Sequence, residues 1–493
     1  MYTCAGGQPM SANSRGYYIG VDLGTQGVRC VALDDAGQLV GRADRPLPPP
    51  PRPRAGRSEQ DPRTWWETCR LCLGELTGGL PAGRVAAVCV DSTSGTFVAT
   101  DEHGRPLGRA VMYNDERASA EAEDVAAVAA GFTQRLGYGF PPTFALPKML
   151  WVARHRPRVW RAAHKMLHAA DLLVAALTGE ARFSDWSNSL KTGYDLLERR
   201  WPDFLSQLGL DVGKLPEVVA PGTPVGEVSH HAAEETGLPA GAAVIAGCTD
   251  GTASLLASGV SRPGEWNSTL GTTLAIRGVS DRLISDPVGR IYCHLHPDGL
   301  WLPGGASNTG ARPIAERFGE ATLRGEAADA VAAAPYDALV YPLSGKGERM
   351  PFASAEAEGF VVANEGTSEG DAGLGAWLQG QALAERWCFE LCRELGAPVG
   401  EWIAVTGGAA QNEAWLRLRA DVLGRQLRRP QHAYAAYGVA LLAMAGARRE
   451  KVSDLGRDLI RFDLTVDPNP SRGEIYAQLL ERLREQVRAR GWS

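Results

Sequence analysis

Four short stretches carry residues that could move a phosphoryl group. The first, YYIGVDLGTQGVRCVALDDAG at 17–37, sets a carboxylate, Asp22, at the mouth of a turn made by Gly24, Thr25 and Gln26. Backbone N–H groups in such a turn suit phosphate, but Asp22 repels it unless a divalent cation sits between the two anions. The second, AGCTDGTAS, puts Asp250 where an apolar run ends and a helical pattern begins. The third, NSTLGTTLAIRG, repeats the Leu-Gly-Thr of the first with Gly271, Thr272 and Thr273, and has Thr269 in the place of the acid. In the fourth, IAVTGGAAQNEAW, an apolar run ends in Gly407-Gly408 and Asn412 can cap the helix that follows. Phosphoryl transfer needs a metal-supported phosphate cradle, an acceptor hydroxyl held in line and a carboxylate to accept its proton. Asp22 with Mg²⁺, the two Gly-Thr turns and Asp250 would fill those parts. Each stretch also has a plainer reading: an ordinary hairpin, an N-cap aspartate, a strand-to-helix turn.

The elements around these residues narrow the choice. A P-loop would carry Lys after its last glycine, and a dinucleotide fingerprint would open a helix there. Here the chain resumes strand-like residues, Val28 to Leu33, after Gly27. The first segment therefore reads as strands at 17–23, 28–34 and 38–43, a Pro-rich loop at 46–56, a helix at 61–78 and a strand at 84–91. Helical patterns follow at 115–130, 147–156 and 169–178, and a strand at 242–247 leads into a helical stretch at 250–260. Residues 264–280 again read strand, Gly-Thr turn, strand, which points to an internal duplication. Segment 344–375 reads as loops, and 401–424 as strand, glycine turn and amphipathic helix. Hairpin-linked strands before a helix resemble the ribonuclease H-like unit of actin-type ATPases and sugar kinases. The expectation is an α/β chain with two such domains around a central cleft.

Composition sets outer bounds. A chain of 493 residues is too long for one core. A net charge of −6, with no basic stripe interleaved with aromatics, argues against nucleic acid as a partner. Apolar runs such as AADLLVAALTG at 169–179 are too short to span a bilayer. Nine scattered cysteines without disulfide spacing read as core residues of a cytoplasmic protein. Cys69 and Cys72 lack a second ligand pair for zinc. Residues 1–16 read as a disordered extension.

The ordered matches along 17–446 resemble the FGGY carbohydrate kinases, nearest the pentulose kinases. GVDLGTQGVRCVALDDAGQLVG looks like the family's first phosphate loop and STLGTT like its second. GRSEQDPRTWWETC (56–69) and LPKMLWVARHRP (146–157) are similar to two further signatures, with Ala145 where the full pattern has Pro, Ser or Thr. TGGAAQNEAWLRLRADVLG (406–424) resembles the adenosine stretch. The resemblance implies an N-terminal domain at 17–250, a C-terminal domain at 251–450 and a helical tail at 451–493. It implies MgATP and a small sugar as ligands, and leaves a homodimer open. Asp250 would be the catalytic base, and Asp22 the carboxylate that organises Mg²⁺, with Asp250 facing the same metal. Asp22, Thr93, Ser94, Asn114 and Asp115 would meet the sugar. Gly24, Thr25, Gln26, Gly271, Thr272, Thr273, Asn308, Gly310, Gly407, Gly408 and Asn412 would meet ATP. Xylulokinases usually carry Asn after the catalytic Asp and a His in the loop that here reads Ser92-Thr93-Ser94-Gly95, whereas Gly251 follows Asp250. STSGT, MYNDERA, GCTDG and LWLPGGASNTG (300–310) look instead like a subgroup acting on D-ribulose. D-ribulose is therefore the expected acceptor and D-xylulose the alternative. An actin-like ATPase without kinase activity is a remote alternative, because fold does not fix function.

Overall fold

The apolar runs flanking the first glycine turn fold back on each other: Tyr17–Leu23 pairs antiparallel with Gly27–Leu33, and that strand with Leu39–Pro46. On its other side Tyr17–Leu23 lies parallel to Val85–Ser92, followed by parallel Ala243–Thr249 and an antiparallel edge, Pro224–Glu227. These inner strands read as continuous apolar runs because both faces of the sheet are covered. Their residues alternate between two cores. Ile19, Val21, Val88, Val90 and Val244 pack under helices Arg63–Gly78 and Ala169–Thr178. Tyr18, Val31, Ala87, Cys89 and Ile245 pack under helices Asp250–Ala257 and Ala435–Arg448.

A second sheet repeats the first. Trp266–Leu270, Leu274–Gly278 and Trp301–Ser307 are antiparallel neighbours. Trp402–Thr406 and then Gln426–Pro430 add in parallel, and Phe462–Val466 closes that edge antiparallel. Strand for strand, the pairing senses match those of the first sheet, and the second adds only Tyr292–Leu295 at its far edge. Helices Leu374–Glu394 and Glu413–Leu423 cover one face through Leu378, Trp415 and Leu418. On the other face Leu255 meets Val279, Leu302 and Ala404, so the helix that begins at Asp250 is sandwiched between the two sheets. The architecture is thus α/β, with two ribonuclease H-like halves.

The computed structural model describes residues 16–48, 56–362 and 372–493. The expected extension, apart from Gly16, lies outside those residues, as does most of the Pro-rich loop. The helix expected over 115–130 begins only at Ser119, because Met112–Arg117 is held in a turn around Asp115, and it is interrupted at Ala129. The segment expected as loops contains a strand, Phe360–Val362, paired with Leu339–Tyr341; residues 363–371 are outside the described set. Between helices Val452–Leu459 and Gly473–Ala489 the tail carries the edge strand Phe462–Val466. The eight described cysteines are free and buried. No helix of the described residues is long and apolar enough to cross a membrane.

Candidate active site

The first hairpin turn is pinned from below. The Gly24 N–H donates to the Gly27 carbonyl at 3.0 Å, and the Leu47 N–H to the Gln26 carbonyl at 2.9 Å. Buried Gln60 donates from Nε2 to the Thr25 carbonyl and accepts the Trp65 indole N–H, each at 2.9 Å. The SEQDPRTWW stretch therefore serves the turn. Asp22 is only 5% exposed and takes Arg29 Nη1 at 3.1 Å. Across the parallel register lies Asp91, fully buried, both of its oxygens without a hydrogen-bond partner. Burial lifts Asp91 well above the ordinary carboxylate range, and the neighbouring charges of Asp22 and Asp250 add to the lift. Asp22 is raised too, by burial, with Arg29 opposing.

The strand Ala243–Thr249 delivers Asp250 to the same place. Thr249 occupies the N-cap position, its N–H donating to Ser187 Oγ at 2.9 Å, so Asp250 is the first helical residue rather than the cap. Its Oδ1 accepts the Gly251 N–H at 2.7 Å. Burial raises its pKa; the Gly251 N–H lowers it, Asp22 raises it, and Lys191 and Arg277 lower it. A cavity of about 640 Å³ brings Asp22, Gly24, Thr25 and Gln26 together with Thr93, Ser94 and Asp250, with Arg29, Tyr113, Ser254 and Tyr434 also on its wall.

The loops on the acceptor side are braced by buried side chains. Ser92 Oγ accepts the Ala170 N–H at 3.0 Å, and Thr93 Oγ1 lies 3.2 Å from Thr96 Oγ1. Lys148, from the LPKMLW stretch, is fully buried and donates to the carbonyls of Gly95 at 2.9 Å and Met112 at 2.7 Å. It ties the Ser92–Gly95 loop to the segment bearing Tyr113. The expectation for Asp115 needs correction: it is fully buried, and its oxygens accept the N–H groups of Ser58 and Arg117 and the Arg117 guanidinium. No lone pair is left to meet a sugar, and the residue shapes the loop instead. Asn114 is exposed, and Tyr113 is the residue of this segment that reaches the cavity.

Three glycine segments converge at the corresponding end of the second sheet. The Gly271 N–H donates to the Thr273 carbonyl at 3.1 Å, and the Ala311 N–H to the Gly271 carbonyl at 2.8 Å. A Cβ at Gly310 would lie 1.9 Å from the Thr272 carbonyl oxygen, so only glycine lets these two loops touch. Gly407, at φ +85, presses on Leu270, whose carbonyl oxygen would be 2.5 Å from a Cβ there, while Gly408 faces open space. Asn308 donates to the Gly347 carbonyl at 2.8 Å and accepts from Arg349 at 3.0 Å. Asn412 caps its helix through the Trp415 N–H and donates to the Leu323 carbonyl, each at 3.0 Å. Both amides are thus engaged within the protein, and the open backbone at Gly408 is the freer of the surfaces assigned to nucleotide.

The duplicated sheets differ at one chemical point. Where Asp22 faces Asp91, Thr269 faces Thr406, their hydroxyls 2.8 Å apart. Among the described residues no cluster of three or more His, Cys, Asp or Glu could hold a metal ion. Mg²⁺ shared with a polyphosphate needs only one or two carboxylates and keeps waters for the rest. Asp22 fits that demand, since Oδ2 is on Arg29 and Oδ1 lies toward Gly24, backed by the orphaned Asp91. Sequence reasoning passed over Asp91, although it ends an apolar strand as Asp22 does. It also passed over Lys148, Lys191 and Arg277, whose positions depend on packing between distant segments.

Residues 17–257 match the model of the N-terminal domain of the FGGY family of carbohydrate kinases, and 294–447 that of its C-terminal domain. The xylulose kinase of Bacillus subtilis (strain 168) is 26% identical over 490 residues, covering 94% of this chain and 95% of the relative. That of Escherichia coli (strain K12) is 28% identical, covering 88% and 91%. The crystal structure of xylulose kinase from Rhodospirillum rubrum superposes with a TM-score of 0.86 at 26% identity, over 96% of this chain and 98% of that one.

Proposed function

Because the chain belongs to the FGGY family of carbohydrate kinases, we propose that this sugar kinase moves the γ-phosphoryl group of MgATP to the terminal hydroxyl of a pentulose. The observation that carries this reading is the single cavity shared by Asp22, the Gly24–Gln26 turn, Thr93, Ser94 and Asp250. Asp250 accepts the hydroxyl proton as the acceptor oxygen bonds to phosphorus and the bond to ADP breaks. Asp22 would hold Mg²⁺, which neutralises phosphate charge when bound. Thr93 and Ser94 orient the acceptor. The backbones of Gly24–Gln26, Gly271–Thr273 and Gly407–Gly408 hold the nucleotide. In this reading 17–250 carries the sugar and the first phosphate loop, and 251–450 carries the second loop and the adenosine.

The relatives' names favour D-xylulose as the acceptor. D-ribulose, its C3 epimer, is a second reading, favoured by Gly251 and by the Ser92–Gly95 loop, which bring no amide or imidazole to the site. A misdirected hydroxyl that leaves buried partners unpaired costs about 1–3 kcal/mol, enough to separate the epimers kinetically. The test is ADP release with MgATP and each epimer in turn, against no sugar. Pentulose-dependent ADP release is expected, and Asp250→Asn should cut it by about 10²–10⁴-fold while nucleotide binding persists. ADP release indifferent to both pentuloses would refute the reading, and the larger kcat/KM names the acceptor.

A further inference from the structure

Beside Asp250 stand two half-buried cations that have no ion-pair partner among the described residues. Lys191, in the turn Leu190–Thr192, has no ion-pair or hydrogen-bond partner among the described residues; its Nζ lies 5.1 Å from the centre of the Phe144 ring. Its stem runs along the acceptor loop, where a Cβ at Gly95 would be 3.1 Å from Lys191 Cδ. Burial brings its pKa down to about 8; Asp250 opposes that shift and Arg277 adds to it. Arg277 arrives from the other sheet, on the strand Leu274–Gly278. Its Nη1 is buried without a partner and rests on Gly251, where a Cβ would be 3.3 Å away. Nearby His294 is 3% exposed, has both ring nitrogens unpartnered, and is driven far toward its neutral form by burial and by these two cations. It adds no counter-charge.

A buried donor left unpaired costs free energy, and a buried cation more. One cation rests on Gly251 and the other runs along the Gly95 loop, from opposite halves of the protein, and neither forms an ion pair with Asp250, which leaves room for a further anion. The reaction itself delivers one. We infer that Lys191 and Arg277 form a cationic corner that receives the phosphoryl group on the acceptor side of the transfer. This rests on the kinase reading above. The acceptor oxygen bonded to Asp250 lies within a few ångströms of the incoming phosphorus, so the phosphoryl oxygens come within reach of groups flanking that carboxylate. The corner exchanges no proton and forms no covalent bond. It meets charge that is absent while the phosphoryl remains on ATP, and so it favours the transition state and the phosphate ester over the bound sugar.

The test compares ligands that differ by that group alone. With MgADP present, binding of a pentulose and of its 5-phosphate is measured by calorimetry for the wild type, Arg277→Met, Lys191→Met and the charge-retaining Arg277→Lys. The wild type should bind the ester more tightly than the sugar. Each Met variant should lose about 10–100-fold in ester affinity and little in sugar affinity, as expected for a charge-assisted hydrogen bond. Arg277→Lys should keep part of the preference, which separates lost charge from a damaged fold. Equal weakening of sugar and ester would mean that the corner reads hydroxyls, and unchanged binding of both would make it packing; either overturns the inference. If the wild type binds no pentulose, the acceptor reading fails, and the corner is tested with MgADP and aluminium fluoride. Tightening of MgADP by fluoroaluminate in the wild type but not in Arg277→Met supports it, and equal or absent tightening overturns it.

Discussion

Lys148→Met tests whether the acceptor loops are held by a lysine that has given up its charge. Burial lowers Lys148 from 10.5 to about 7, with the Asp115 charge opposing the shift. A neutral amine still has two N–H bonds, and the two carbonyls it serves, Gly95 and Met112, need two. Between pH 7 and 9 the unfolded chain keeps the proton on this residue while the folded chain sheds it. Stability rises with pH wherever the unfolded state binds more protons, so this lysine makes the wild type more stable as the solution becomes more alkaline. Integrated over those two pH units, the difference in occupancy amounts to about 2 kcal/mol. At roughly 2–4 °C per kcal/mol for a unit of 150–250 residues, the Tm gap between wild type and Lys148→Met should widen by about 4–8 °C from pH 7 to pH 9. Groups far from this site titrate alike in both proteins and drop out of the difference. The variant also leaves the Gly95 carbonyl unpaired, a pH-independent loss of about 1–3 kcal/mol, while the Met112 carbonyl keeps the Asp115 N–H at 3.1 Å. Because Lys148 ties together the loops bearing Ser94 and Tyr113, KM for the sugar should rise more than KM for ATP. Calorimetric scans at three pH values decide it. A Tm gap constant with pH would show that the lysine keeps its proton in the fold and that the burial argument is wrong.

Two further outcomes follow from the nucleotide side. If the Asp22 carboxylate organises the metal as proposed, Asp22→Ala should raise the Mg²⁺ concentration needed for half-maximal rate and depress kcat; superimposable Mg²⁺ titrations for variant and wild type would remove that role. Gly407→Ala forces a Cβ onto the Leu270 carbonyl at a φ of +85, so a stability loss of more than about 1 kcal/mol and a higher KM for ATP are expected, with KM for the sugar little changed; steady-state kinetics and a melting curve check both.

Much of the frame was legible because it is written locally. Hydrophobic runs with glycine turns specify hairpins, and the apolar run ending at Thr249 placed Asp250 at the mouth of a strand. The helix Ala169–Thr178 falls where its pattern puts it. What stayed hidden depends on distant partners. The sequence around Asp115 looks like a polar loop over a site, and only contact with Ser58, 57 residues away, shows that its charge is spent on the fold. The edge strand Phe462–Val466 alternates half-buried and exposed residues over a short span between two helices, too weak a signal to stand against them. Lys191 and Arg277 carry no local signature at all, since their meeting at Asp250 is a product of two sheets closing on one helix.

The divergence of the two copies has a physical logic. A polyphosphate gripped by two hairpins presents negative charge to both. A carboxylate is tolerable on one side, where a divalent cation can stand between the anions, and costly on the other. The second copy meets this constraint with Thr269, hydrogen-bonded to Asn267 at 3.0 Å and to Thr406 at 2.8 Å, a neutral network in the register that Asp22 and Asp91 occupy in the first. In the proposed reading the acid pair also marks the half that takes the acceptor, since Thr93 and Ser94 follow directly on the strand that ends in Asp91 and Ser92. On the proposed reading, a carboxylate pair in one copy and a hydroxyl pair in the other would distinguish a hairpin able to share a metal with the phosphates from one that meets them through neutral groups alone.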